Sequence, residues 1–107
     1  MITEEKYQQA QNAFELARAE LAGDRAEASR IRVRAAEQTL KHSTELRDAG
    51  FMSEAEFLKA QTALELARAE LAGDRKEAAR IRVRAAEQEL ELSTLRRDNG
   101  LISEDEH

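Results

Sequence analysis

The chain is a tandem duplication in which residues 1–50 and 51–100 are two versions of one segment, identical at 32 of 50 aligned positions. The segment Leu101–Glu104 resembles Phe51–Glu54, so we expect residues 101–107 to begin a third repeat and the chain to be a fragment of a longer repetitive protein. Because both copies must adopt nearly the same structure, the fold reduces to one 50-residue unit and the way it packs on its copy.

The residue types favour helices over strands. The sequence has no Pro, Cys or Trp and contains 4 Gly, while Ala, Glu, Leu and Arg dominate, as is typical of long helices and coiled coils. Aromatic residues are only 4% of the chain, and many apolar positions are Ala, so a narrow apolar seam between helices suits the sequence better than a broad core. We predict an all-α fold in which residues 1–100 form a single domain of two repeats.

Helix boundaries are marked in both repeats by capping residues. Thr3 and Ser53 are each followed by acidic residues, which is typical of a helix N-terminus. Gly50 and Gly100 follow Arg-Asp-Ala and Arg-Asp-Asn, and glycine readily takes the left-handed conformation that ends a helix. These signals predict two long helices, over residues 3–48 and 53–98.

A heptad pattern runs through each predicted helix. In the second repeat, apolar residues recur every seven positions at Phe57, Leu64, Leu71, Ala78, Ala85 and Leu92. The pattern passes through Gly73 without a change of phase, and one internal glycine costs only about 1 kcal/mol relative to alanine. We therefore predict an antiparallel two-helix coiled-coil hairpin, with helices roughly 68 Å long.

Folding the chain back at Gly50 pairs residues whose numbers sum to 102. The predicted pairs of large residues are Tyr7–Leu95, Leu21–Ile81 and Ile31–Leu71. Asp24 then faces Ala78 and Asp74 faces Ala28, so we expect a wetter and more mobile midsection.

A second arrangement is compatible with the same residues. Ala22–Glu27 and its copy Ala72–Glu77 each contain a glycine, an aspartate and a glutamate three residues after the aspartate, which is the pattern of a helix end followed by a new N-cap. The alternative fold is an up-down four-helix bundle with turns near Gly23 and Gly73.

The charge pattern argues against a nucleic-acid partner. The net charge is −5, and the densest basic stretch, Arg30–Arg34, is flanked by acids and lacks interleaved aromatic residues for base stacking. We instead expect a solvated helix face with the intrahelical ion pairs Glu27–Arg30 and Arg34–Glu37.

Residues that could support catalysis or metal binding are sparse. The chain has no nucleophile signature and no glycine-rich phosphate loop, and neither His42 nor His107 has a metal-ligating partner at the required spacing. We predict no catalytic, cofactor-binding or metal site, and a protein that is not an enzyme. No apolar run is long enough to span a membrane, and Met1–Glu5 lacks the features of a signal peptide, so we expect no direct membrane insertion by this fragment.

The turn between the repeats resembles a known family. Gly50–Ala60, which reads Gly-Phe-Met-Ser-Glu-Ala-Glu-Phe-Leu-Lys-Ala, resembles the helical-hairpin tip of periplasmic adaptor proteins, also called membrane fusion proteins, of tripartite efflux pumps and type I secretion systems. That family has Gly, Ser, Glu and Ala at matching spacing, flanked by heptads rich in Ala and Leu. The resemblance implies a periplasmic location and a tip that docks on an outer-membrane channel. The implied partner-binding residues are Leu46, Phe51, Met52 and Ser53.

Two hypotheses for the function follow. In the first, the hairpin is a non-enzymatic spacer and docking arm of an efflux or secretion assembly. In the second, the chain is a structural helical-repeat protein that self-associates and has no transport role, with Leu16 and Leu66 in a further interface between rods.

Overall fold

The computed structural model describes the backbone of residues 3–105 and the side chains of residues 3–99. The described residues contain helices and turns and no strand, so the predicted all-α class is confirmed. The four helices are α1 (Glu4–Leu21), α2 (Arg25–Asp48), α3 (Glu54–Ala72) and α4 (Arg75–Asp105).

The three turns share one glycine-dependent geometry. Gly23, Gly50 and Gly73 have φ values of 73°, 82° and 72°, in the left-handed region that glycine adopts at little cost. At the last of these turns, the Gly73 N–H donates to the Glu70 carbonyl at 3.1 Å and the Asp74 N–H donates to the Ala69 carbonyl at 3.0 Å. This pair of hydrogen bonds satisfies the free carbonyls at the end of α3 and reverses the chain.

Each helix N-terminus is capped by a side-chain oxygen that accepts a backbone N–H three residues later. The hydroxyls of Thr3 and Ser53 cap α1 and α3. The Asp24 and Asp74 carboxylates cap α2 and α4, each accepting an N–H at 3.0 Å. The prediction that these two aspartates lie in a wet coiled-coil seam facing alanines is therefore wrong, because both carboxylates are engaged at helix starts.

The turns at Gly23 and Gly73 differ from the prediction of two uninterrupted helices. Residues 3–48 form α1 and α2 instead of one helix, and residues 53–98 form α3 and most of α4. The physical reason is that a left-handed glycine followed by an aspartate cap lets each helix fold back on the next and bury apolar residues between them. The alternative prediction of turns near these two glycines matches the positions of the breaks.

The helices follow an up-down order in which each packs against its neighbour in the chain. Among the described residues, α1 contacts α2, α2 contacts α3 and α3 contacts α4, whereas α1 does not contact α4. The result is an open array measuring 55 × 42 × 26 Å. The predicted pairs Tyr7–Leu95 and Leu21–Ile81 are wrong, since they require contact between α1 and α4.

Each 50-residue repeat is a helical hairpin with its own small core. In the first hairpin the buried residues Ala19, Ala28 and Ile31 cluster with Leu16 packed against them. The second hairpin buries the equivalent residues 50 positions later, namely Ala69, Ala78 and Ile81, with Leu66 packed against them. Leu16 and Leu66 therefore pack inside the hairpins and not between rods as the self-association hypothesis expected.

Helix α4 is longer than predicted. It continues through Asn99 and Gly100 to Asp105, so the helix stop predicted at Gly100 is wrong. At Gly50 the chain turns and α3 packs back on α2, but in the described part of the chain no later helix packs back on α4. Residues 101–107 were predicted to begin a third repeat, and residues 106–107 of that segment lie outside the described residues.

Candidate protein-interaction site

The predicted partner-binding residues lie at the turn between α2 and α3. The Phe51 N–H donates to the Leu46 carbonyl at 2.8 Å, and the Ser53 hydroxyl accepts the Glu56 N–H at 3.2 Å. The backbone of Leu46 and the side chain of Ser53 therefore end one helix and begin the next.

The side chains of these residues differ in their exposure. Phe51 is 79% exposed, whereas Leu46 and Met52 are partly buried. The turn thus places the four residues close together. It exposes one aromatic ring to solvent and not a broad apolar patch.

A larger exposed apolar surface lies on α1. Tyr7, Phe14 and Leu21 are spaced seven residues apart and so lie on one face of the helix, over roughly 21 Å of its length. Tyr7 is 58% exposed and Phe14 is 61% exposed. Glu15, Leu16 and Ala19, which contact α2, lie on the other side of α1. We call the exposed stripe the α1 outer face.

The equivalent residues of the second repeat are covered. Phe57 and Leu64 occupy the positions of Tyr7 and Phe14, and they are only 6% and 5% exposed. Both lie on the side of α3 opposite the residues that face α4, so they are buried against α2. The Arg47 guanidinium lies over the Phe57 ring, 3.8 Å from the ring centroid. The same sequence face is therefore an interface in one repeat and exposed in the other.

The other half of this interface shows the reverse asymmetry. On α2, Val33 and Leu40 lie on the side away from α1, toward α3, and are partly buried. Their counterparts on α4 are Val83 and Leu90, which are exposed, Leu90 to 68%. We call this stripe of α4 the α4 outer face. The array thus ends in two open faces that match the two sides of its internal α2–α3 interface.

The groove between the two helices of each hairpin also differs between the repeats. Between α3 and α4 it is lined by apolar residues that include Leu58, Leu92 and Leu95. The equivalent positions between α1 and α2 are Gln8, His42 and Glu45, so polar side chains replace the apolar lining there. The second hairpin therefore has the more apolar groove.

Arginines of the basic stretch Arg30–Arg34 and of its copy in the second repeat form ion pairs within their own hairpins. Arg34 pairs with Glu15 on α1, and Arg84 pairs with Glu65 on α3 in the same way. The predicted pair Glu27–Arg30 is confirmed at 2.9 Å, but Arg34 pairs across the hairpin and not with Glu37 as predicted. The arginines of Arg30–Arg34 that form ion pairs therefore bind acidic residues of the same repeat.

The described residues contain no group of three or more His, Asp or Glu side chains positioned to hold a metal ion. The His42 imidazole lies 2.8 Å from the Glu5 carboxylate on α1. In the part of the chain that the structure describes, no helix has both the length and the apolar character needed to cross a bilayer.

The two open faces were not identified from the sequence, although one signal for them was present. A chain with two copies of a hairpin carries each packing face twice, but it can form only one contact between the hairpins. Among the described residues, one copy of each face therefore stays uncovered. Comparison of this chain with protein-family models, with curated proteins and with solved structures gave no match.

Proposed function

We propose that this chain is a non-enzymatic helical-repeat protein that self-associates through its helix faces and has no transport role. One observation carries the proposal: Tyr7 and Phe14 are exposed, while Phe57 and Leu64, the same positions of the other repeat, are buried against a neighbouring helix. Single exposed apolar residues are ordinary, but a stripe of them along one helix face is typical of an interaction surface.

The repeat architecture supports the same proposal. In helical-repeat proteins each unit contacts only its neighbours, and the units at the ends need polar outer surfaces to stay soluble. Neither the first nor the last described helix has such a surface, since α1 exposes Tyr7 and Phe14 and α4 exposes Val83 and Leu90. Association covers these side chains and removes their apolar area from water.

Light scattering tests this proposal. The average mass should rise above the 12.1 kDa of the monomer as the protein concentration increases, and Phe14→Gln should reduce the rise. Phe51→Gln is the matched control, because it also removes an exposed aromatic ring but lies at the turn and not on the α1 outer face. A mass that stays at the monomer value at every concentration would contradict self-association.

The exposed ring of Phe51 favours a second candidate function, that of an adaptor-type docking hairpin. In this case the chain acts in the periplasm as a spacer, and the α2–α3 turn binds an outer-membrane channel through Leu46, Phe51, Met52 and Ser53. The test is binding of the chain to a purified outer-membrane efflux channel. Phe51→Ala should abolish that binding with little loss of helicity, whereas Phe14→Gln should leave it unchanged.

A further inference from the structure

The α2–α3 interface provides a template for how two copies of the chain would meet. Its apolar part consists of Phe57 and Leu64 on α3, packed against the α2 face that carries Val33 and Leu40. Its polar part consists of side-chain contacts made by two residues of α2. The Arg47 guanidinium covers the Phe57 ring and lies 3.9 Å from Glu54, and Glu37 lies 4.0 Å from Arg68.

The chain carries the same chemistry 50 positions away on both open faces. On the α4 outer face, Glu87 and Arg97 occupy the positions of Glu37 and Arg47. On α1, the counterparts of the residues that α2 contacts keep the same charge or aromatic character; they are Glu4 for Glu54, Tyr7 for Phe57 and Arg18 for Arg68. Every polar contact of the internal interface can therefore be formed again between α4 and α1.

Two of these groups make contacts that are local in sequence. Arg97 lies 3.7 Å from Asp98, its neighbour in sequence, and the Arg18 guanidinium lies 5.7 Å from the centroid of the Phe14 ring on the same helix. In the part of the chain that the structure describes, α4 and α1 do not contact each other. Their complementary faces are thus available at opposite ends of the array.

We infer that copies of this chain associate head to tail, with α4 of one copy packing antiparallel on α1 of the next copy in the register of the α2–α3 interface. In this contact Arg97 covers the next copy's Tyr7, and Glu87 pairs with the next copy's Arg18. The inference rests on the proposed self-association and specifies its geometry. A second copy of the chain fits the α1 and α4 outer faces because both halves of one complementary interface lie on a single chain.

This geometry has a consequence for the size of the assembly. The two surfaces in contact are different, so each added copy leaves one α1 face and one α4 face free. The assembly should therefore grow with concentration beyond a dimer, as an open series unless the rotation between copies closes it into a ring. A pairing of α1 with α1, or of α4 with α4, would instead stop at a dimer.

A mixing experiment with two blocked variants tests the inference. Phe14→Glu blocks the α1 outer face, and Leu90→Glu blocks the α4 outer face; both side chains are exposed, so neither change should unfold the protein. Each variant alone should stay monomeric, since every contact between two copies needs an intact α4 outer face on one and an intact α1 outer face on the other. An equimolar mixture should form a species of twice the 12.1 kDa monomer mass and no larger, because the intact α1 of one variant binds the intact α4 of the other.

The outcomes separate this inference from the proposed function. If the wild-type chain stays monomeric at every concentration, both fail. If the wild-type chain associates but either variant alone still forms dimers, or the mixture forms no heterodimer, only the head-to-tail geometry fails.

A charge exchange provides a second readout that does not depend on apolar residues. Glu87→Arg or Arg18→Glu alone should weaken association by about two- to fivefold, because each places like charges opposite one another at a solvent-exposed position. A chain that carries both changes should regain most of the wild-type affinity. Failure of the double variant to recover would overturn the proposed register.

Discussion

A methyl group added at Gly23 would meet no atom within 4 Å, so the cost of Gly23→Ala comes from its backbone conformation alone. With φ at 73°, alanine should lower the free energy of unfolding by about 1–2 kcal/mol. In an uninterrupted helix the same change would instead stabilise by about 1 kcal/mol. Urea denaturation followed by circular dichroism measures whether Gly23→Ala lowers or raises the free energy of unfolding. Gly50→Ala is the control, since Gly50 lies in a turn in either arrangement and its substitution should destabilise both.

The buried amide of Asn12 supports a second prediction at the residue scale. It donates to the Gln38 side-chain oxygen at 2.6 Å and accepts from Arg34 at 3.0 Å and 3.2 Å. Asn12→Ala leaves these partly buried groups without their partner, and we expect a loss of about 1–3 kcal/mol in the free energy of unfolding. Thr62→Ala, at the equivalent position of the second repeat, should cost less, because the α3–α4 groove is lined mainly by apolar side chains there. Equal losses in the two variants would contradict a stabilising role for the network.

At the scale of helices, the capping residues predicted the boundaries better than the heptads did. Thr3, Ser53 and Gly50 lie where the sequence placed them. The heptads predicted one seam because Phe57 and Leu64 are in phase with Ala78 and Ile81, yet the first pair faces α2 and the second pair packs in the α3–α4 core. Periodicity identifies apolar faces, but it does not show which helix covers each face when a short turn preserves the phase.

The difference between the two repeats gives a prediction for equivalent residues of α1 and α3. Phe57→Ala removes a buried ring together with its contact to Arg47, so it should cost about 3 kcal/mol or more. Tyr7→Ala removes an exposed ring and should change the stability of the monomer by less than about 0.5 kcal/mol. Unfolding measured at a concentration where the protein is monomeric makes the comparison. Similar losses for the two variants would show that α1 is covered within the chain.

At the scale of the whole molecule, exposure depends on neighbours that local sequence does not reveal. Tyr7 and Phe57 occupy equivalent aromatic positions of the two repeats, but among the described residues only Phe57 has another hairpin packed against it. The position of the turn that carries Leu46, Phe51, Met52 and Ser53 could be predicted from sequence because turn chemistry is local. The open faces follow from the order of the repeats, which becomes visible only once each repeat is known to be a hairpin.

Adding a repeat to the chain should convert the α4 outer face into an internal interface. A chain in which residues 51–100 are followed by a further copy of the same segment would place a new α3-type helix against Val83 and Leu90. Because this adds both a hairpin core and an inter-hairpin contact, the free energy of unfolding should rise, and the urea m-value should increase by about half if the three hairpins unfold together. Leu90→Lys in the longer chain is the matched control, since it disrupts only the new contact. That variant should lose the added stability and unfold its last hairpin separately, and equal stability of the two longer chains would rule out stacking through the α4 outer face.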